Sequence, residues 1–222
     1  MTRFRSVVLD VDSTLSGVEG IDWLAAHRND ALREFVAQRT ADAMAGKIPL
    51  DLVFGERLDS VAPTLAELQT LGLAYRTKIA PGAAAAVQAM RDAGVRIVLV
   101  SGGLRVAVLS LAESLGVADD DVHAVATLHD ERGLYDGFDH QSPLTTQEGK
   151  PTVVRTLGLP APVLAVGDGS TDLAIRTAGA ADAFAAFTGF VRRDAVVAGA
   201  DFVIGSFDEL RALVLGDAAT KS

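Results

Sequence analysis

Along this chain, short runs of apolar and β-branched residues alternate with longer stretches whose apolar residues recur at helical spacing. The runs are SVVLD (6–10), VRIVLVS (95–101), PVLAVGD (162–168) and the weaker ADAFAAF and ADFVIG. The stretches among them include AAAAVQAMRDAG, LRVAVLSLAESLG and STDLAIRTAG. Runs that are apolar throughout, rather than alternating, predict strands covered on both faces, with the intervening helices as crossovers of a parallel sheet. The pattern therefore predicts an α/β fold with a doubly wound, Rossmann-like parallel sheet. Residues 16–78 break the rhythm, being charge-rich and helical with no convincing strand. They predict a small helical cap inserted into a core made of residues 1–15 and 79–222. Residues 122–139, VHAVATLHDERGLYDGFD, read as a hairpin turning near DERG.

In an open parallel sheet, ligands bind beyond the carboxyl ends of the strands, so the residues closing each run carry information. The first run ends in Asp10, with Asp12 two residues on. The second ends in Ser101 followed by Gly102 and Gly103, and the third in Asp168 followed by Gly169, Ser170, Thr171 and Asp172. Any one of these could simply cap the next helix. Three together place carboxylates, hydroxyls and glycines on one rim. Asp10, Asp12 and Asp168 in one crevice would repel one another without a cation, and oxygen ligands with no Cys or His nearby point to a hard one such as Mg²⁺. Lys150, just before a predicted helix in TQEGKPTVV, can reach the same rim.

Composition narrows the function. With 49% hydrophobic residues in 222, the chain can bury one sizeable core. The lack of cysteine excludes disulfides, thiolate catalysis and zinc–thiolate sites. A net charge of -9 argues against nucleic acid and anionic lipid as partners, and leaves a small anionic substrate admissible where a metal reverses the local sign. The basic start MTRFRSVVLDVD meets carboxylates before a signal-peptide core is complete, and no apolar segment approaches the roughly 20 residues of a membrane span, so a cytoplasmic protein is expected. His27, His123, His129 and His140 share no ligand spacing.

These residues carry a resemblance. DVDSTL, VLVSGG, Lys150 and VGDGSTD match, in order, the four motifs of the haloacid dehalogenase superfamily. EGIDWLA, AMAGKIP, GERL, Pro81-Gly82, LYDGFD and ADAFAAFTGFVRRDAV resemble segments of its phosphoserine phosphatase family. The resemblance implies an Mg²⁺-dependent phosphomonoester hydrolase with Asp10 as nucleophile and Asp12 as acid and base. Mg²⁺ would be bound by the Asp10 carboxylate, the Asp12 backbone carbonyl and Asp168, with Asp172 holding a metal-bound water or Lys150. Ser101, Gly102, Gly103 and Lys150 would hold the phosphoryl group. Glu19 would meet a substrate ammonium and Arg57 its carboxylate, with Met44, Ala45 and Thr171 lining the site. The chain departs from the family at Leu50, where an aromatic is usual and Phe54 follows one turn later, within PGAAAA, and at TGFV. Three alternatives stay open: another small phosphomonoester, phosphoryl transfer to an alcohol such as homoserine, and a non-catalytic nucleotide-binding α/β protein. Against the last, the first strand lacks GxGxxG and the chain lacks GxxxxGK[ST].

Overall fold

The computed structural model describes residues 2–44, 47, 48 and 50–216. Its first strand, β1 (Ser6–Leu9), leads into four helices: α1 (Gly20–Ala26), α2 (Asp30–Met44), α3 (Leu50–Val61) and α4 (Leu65–Thr77). The chain then returns through α5 (Ala83–Asp92), β2 (Arg96–Leu104), α6 (Arg105–Ser114) and β3 (Val122–Val125). A small hairpin follows, β4 (Thr127–His129) and β5 (Tyr135–Phe138). Last come α7 (Gly149–Thr156), β6 (Val163–Gly167), α8 (Ser170–Thr177), β7 (Ala183–Phe187), α9 (Asp194–Ala198), β8 (Phe202–Ile204) and α10 (Phe207–Leu215). The main sheet runs β3-β2-β1-β6-β7-β8, every neighbouring pair parallel.

The strand order reverses beside β1. One partner, β2, lies on one side (Val8 opposite Val98) and the other, β6, on the opposite side (Val8 opposite Ala165). All four residues of β1 are buried, which its unbroken apolar run demands. The crevice beyond the ends of β1, β2 and β6 is where the switch in strand order leaves room for a ligand.

Apolar residues of the helical segment join the central core: Leu24, Val36, Phe54, Leu58, Leu68 and Leu71 pack in the same cluster as Val7 and Leu99. On α4, Leu68, Leu71 and Tyr75 form a buried stripe at helical spacing. Gly72 on that helix faces α6 so closely that a Cβ would lie 2.7 Å from the Ser110 Cβ. A capping box starts α4, with the Thr64 hydroxyl accepting from the Glu67 N–H and the Glu67 carboxylate accepting from the Thr64 N–H. No helix of the described residues is long and apolar enough to cross a membrane.

The expectation of one hairpin over 122–139 needs correction. Val122–Val125 instead pairs in parallel with β2 at the sheet edge, Leu99 opposite Val122. The open backbone edge of β2 and burial of Val122 and Val125 outweigh the local hairpin pattern. The turn itself does fall at DERG: Gly133 N–H donates to the Asp130 carbonyl, and the Asp130 carboxylate accepts from the Arg132 and Leu134 amides. This hairpin lies against the helical segment, with the Tyr135 hydroxyl donating to Asp59 at 2.7 Å and Leu65 N–H to the Gly133 carbonyl at 3.0 Å.

Candidate active site

Beyond Leu9 the backbone stays in register for one more residue, Asp10 N–H donating to the Val166 carbonyl. It then folds into a tight turn in which the Thr14 and Ser16 amides both donate to the Val11 carbonyl. Ser13 there takes φ of 54°, a left-handed conformation that costs a non-glycine residue about 1–3 kcal/mol and that the surrounding bonds must hold. The turn carries Asp10 and Asp12 into a cavity of about 70 Å³ lined also by residues from the ends of β2 and β6 and by the helical segment. At roughly 10–15 Å³ per water-sized centre, such a space suits a small ligand only.

Lys150, buried near the start of α7, places Nζ 2.7 Å from Asp10 Oδ1 and 2.7 Å from Asp172 Oδ1. Burial alone would lower its proton affinity, but Asp10 and Asp172 carry it above that of an ordinary lysine. Asp172 uses its other oxygen to accept the Gly169 N–H at 3.0 Å, so both of its oxygens serve the rim. It fits there because residue 167 is glycine: a Cβ at that position would collide with the Asp172 carboxyl. Burial, reinforced by Asp10, pushes Asp172 up to about 8 against the pull of Lys150. Asp168 closes β6, accepts from Arg193 Nε at 3.0 Å, and is shifted upward by burial and by Asp10.

Each oxygen of Asp12 accepts one hydrogen bond. One oxygen accepts from the Gly20 N–H at 2.7 Å, and the other from the Tyr75 hydroxyl at 2.6 Å. Burial raises it to about 7, against both donors. Burial together with the Asp12 charge pushes Tyr75 well above its usual range. The strand expected to end at Ser101 runs on through Gly102 and Gly103 to Leu104; Ser101, buried within it, accepts the Gly103 N–H on its hydroxyl at 2.9 Å, and Gly102, Gly103 and Thr171 line the same cavity.

The opposite wall comes from the helices. Glu19 accepts from the Ser13 hydroxyl at 2.6 Å, and burial and the nearby Asp12 raise it to about 8. Arg57 is only 4% exposed, and burial lowers its proton affinity. Its Nη1 donates to the Thr40 hydroxyl at 2.6 Å, and that hydroxyl donates to Asp22 at 2.8 Å, while Nε has no hydrogen-bond partner. Phe54 also lines the cavity, its ring edge-on to Phe138. Of the residues singled out from the sequence, Ala45 lies outside the described residues, as does the side chain of Met44 at the end of α2. The other residues given a metal, phosphoryl, acid–base or recognition role (Asp10, Asp12, Glu19, Arg57, Ser101, Gly102, Gly103, Lys150, Asp168, Thr171 and Asp172) line one cavity.

Three contributors escape a reading of the sequence. Tyr75 looks like a core aromatic on an amphipathic helix, and Asp22 like an ordinary acidic residue in the first turn of α1. Arg193, 4.0 Å from Glu19 and 3.0 Å from Asp168, follows β7 in the segment TGFVRRDAV; its place just beyond a strand end is the signal that could have found it.

Six acidic groups (Asp10, Asp12, Glu19, Asp22, Asp168, Asp172) outnumber three cations (Arg57, Lys150, Arg193), so full ionisation would leave the cavity negative and oppose an anionic ligand, and burial holds Asp12, Glu19 and Asp172 toward their protonated forms. Carboxylate oxygens of Asp10, Asp168 and Asp172 lie within 4.8 Å of one another, a buried all-oxygen donor set that suits a hard divalent cation such as Mg²⁺. The arrangement sets two carboxyl groups, Asp10 and Asp12, beside a buried ammonium, a combination whose chemistry admits nucleophilic attack and proton exchange.

A family model described as haloacid dehalogenase-like hydrolase matches residues 7–175. The chain is 33% identical over 209 residues to the chloroplastic phosphoserine phosphatase of Arabidopsis thaliana, covering 93% of this chain and 70% of that protein. It is 32% identical to the phosphoserine phosphatase of Homo sapiens, over 92% and 91% of the two chains. Among solved structures, a phosphoserine phosphohydrolase-like protein from Francisella tularensis shares the fold at a TM-score of 0.85 and 24% identity, covering 94% of this chain and 99% of that one. A substrate-bound phosphoserine phosphatase shares it at 0.77 and 23%, over 94% and 96%.

Proposed function

Because the chain belongs to the haloacid dehalogenase-like hydrolase family and is a phosphoric monoester hydrolase, we propose that it converts O-phospho-L-serine and water to L-serine and phosphate, with Mg²⁺ as cofactor and a phosphorylated Asp10 as intermediate. In this reading residues 16–78 form a cap over the core of residues 1–15 and 79–222, and the cavity between them takes the substrate. The Asp10 and Asp168 carboxylates and the Asp12 backbone carbonyl would hold Mg²⁺, whose positive charge would offset theirs toward an incoming phosphoryl group.

Lys150 holds one oxygen of Asp10, and the other attacks phosphorus. The bond from phosphorus to the serine oxygen breaks while Asp12 delivers a proton to that oxygen. Asp12 then takes a proton from water, the water oxygen bonds to phosphorus, and the bond from phosphorus to Asp10 breaks, restoring both carboxyl groups. The Ser101 hydroxyl, Gly102 amide and Lys150 ammonium offer donors to the phosphoryl oxygens, where negative charge spreads in the transition state. Asp172 keeps Lys150 in place. A pKa of about 7 suits Asp12 to exchanging a proton near neutrality.

One observation carries the substrate assignment. Arg57 is a buried guanidinium with a partnerless Nε, in the same cavity as Asp10 and Glu19. A substrate carboxylate would satisfy it by a charge-assisted bond, and an ammonium beside Glu19 would favour that carboxylate's ionised form. Thr171 completes the described lining in this reading. The test is phosphate release from phosphoserine, homoserine phosphate and p-nitrophenyl phosphate, with and without chelator, and with serine or homoserine as trial acceptors. Preference for phosphoserine, lost on chelation, is expected. Comparable kcat/KM on all three substrates, or phosphate passing mainly to an alcohol, overturns the assignment.

A further inference from the structure

Tyr75 is fully buried, yet its hydroxyl does not end in the core. It meets Asp12, whose other oxygen is met by the Gly20 N–H. Gly20 opens α1 and Tyr75 lies near the end of α4, so one carboxylate is gripped from both ends of the helical segment. Residue 20 has to be glycine for this: a Cβ there would collide with the Tyr75 oxygen and lie 3.5 Å from Asp12. A carboxylate oxygen accepts two hydrogen bonds, so each Asp12 oxygen keeps a free lone pair for a proton coming or going.

We propose that Tyr75 is a positioning residue that fixes the orientation of the Asp12 carboxylate for proton transfer, and that Gly20 supplies both the second donor and the space the phenol needs. The inference rests on the reading of Asp12 as the proton-transferring group. Tyr75 keeps its own proton throughout. The proton moves from Asp12 to the departing oxygen in the first step and from water to Asp12 in the second. Misplacement of a reacting group by about 1 Å can cost on the order of a hundredfold, so losing one of two anchors has a measurable consequence.

The experiment compares the parent enzyme with Tyr75→Phe, Gly20→Ala and Asp12→Asn on phosphoserine and on p-nitrophenyl phosphate, with rapid-mixing detection of the first release of p-nitrophenolate. That leaving group departs without a proton, whereas the serine alkoxide needs one. Tyr75→Phe is expected to lower kcat on phosphoserine roughly 10- to 100-fold at little-changed KM, while the first p-nitrophenolate release falls by less than about threefold. Gly20→Ala keeps the amide donor but displaces the phenol, and is expected to show the same selective loss. If Asp12→Asn is selective for phosphoserine but Tyr75→Phe stays within twofold of the parent on it, the proposal is overturned. Equal loss on both substrates in Tyr75→Phe, with a lowered melting temperature, assigns Tyr75 to the core and overturns it too. If Asp12→Asn itself affects both substrates alike, it is the reading of Asp12 that fails.

Discussion

The strand-end rim and the helical wall that faces it hold their charges in different ways. On the rim, Lys150 at the start of α7 is 2.7 Å from Asp10 and from Asp172, and Asp168, just past β6, is 3.0 Å from Arg193. On the helical wall, the buried Arg57 meets a neutral hydroxyl and has one nitrogen without a partner, and Glu19 is raised to about 8. The cations of the rim are thus paired within the protein, whereas its excess of carboxyl groups is what a bound divalent cation would balance. The helical wall is left for a ligand to complete. If the rim does the chemistry and the helical wall the recognition, as proposed, each can be damaged without the other.

The largest effect expected is on the rim. Asp10→Asn takes away the proposed nucleophile, so turnover of every phosphomonoester should vanish, measured as phosphate release; near-normal activity would end the covalent mechanism. Asp12→Asn should come next, with a loss of roughly 10²- to 10⁴-fold on phosphoserine, the usual worth of general acid–base catalysis.

Ligand linkage sharpens the same contrast. Beryllofluoride with Mg²⁺ should mimic phosphorylated Asp10 and stabilise the fold by about 2.7 kcal/mol at a hundredfold excess over Kd, read as a rise in melting temperature beyond that from either alone. Neither ligand shifting the transition would count against the rim as a metal and phosphoryl site.

On the helical wall, Arg57→Ala and Glu19→Gln should each cost phosphoserine kcat/KM on the order of 1.5–3 kcal/mol, the worth of a hydrogen bond to a charged group. Turnover of p-nitrophenyl phosphate, which lacks both groups, should change little. Equal losses on both substrates would erase the distinction between the two walls.

The smallest effect concerns how the helices are fastened to one another. Arg28 pairs with Glu67 at the start of α4, with Nη2 2.9 Å from Oε2. This pair and the Thr64 donors hold Glu67 at about 2, below its ordinary 4.5. A depressed acid stabilises the fold fully above its unfolded value and loses that stabilisation as pH falls from about 4.5 through about 2. The pair is about a third exposed, so roughly 0.2–1 kcal/mol is expected. Urea midpoints of the parent and Arg28→Ala should differ near neutrality and converge as the pH drops below 3.

The amino-acid sequence by itself determined the sheet and the candidate rim at its strand ends. The runs at 6–10, 95–101 and 162–168 are apolar throughout because strands buried on both faces cannot alternate, and a carboxylate or a Ser-Gly-Gly closes each. Regularity of that kind is local, so it survives in one dimension. Only the tertiary structure decided that residues 122–125 join the main sheet, since the backbone edge they complete lies more than twenty residues away on β2. It alone brought Tyr75, 63 residues distant, to Asp12, and Arg193 to Asp168. An aromatic on a buried helical stripe has the same pattern whether its hydroxyl meets water, backbone or a catalytic carboxylate. Which partner it meets depends on how α4 lies on α6, through close contacts such as Gly72 on Ser110, and on the missing Cβ at Gly20, and no periodicity along the chain encodes either.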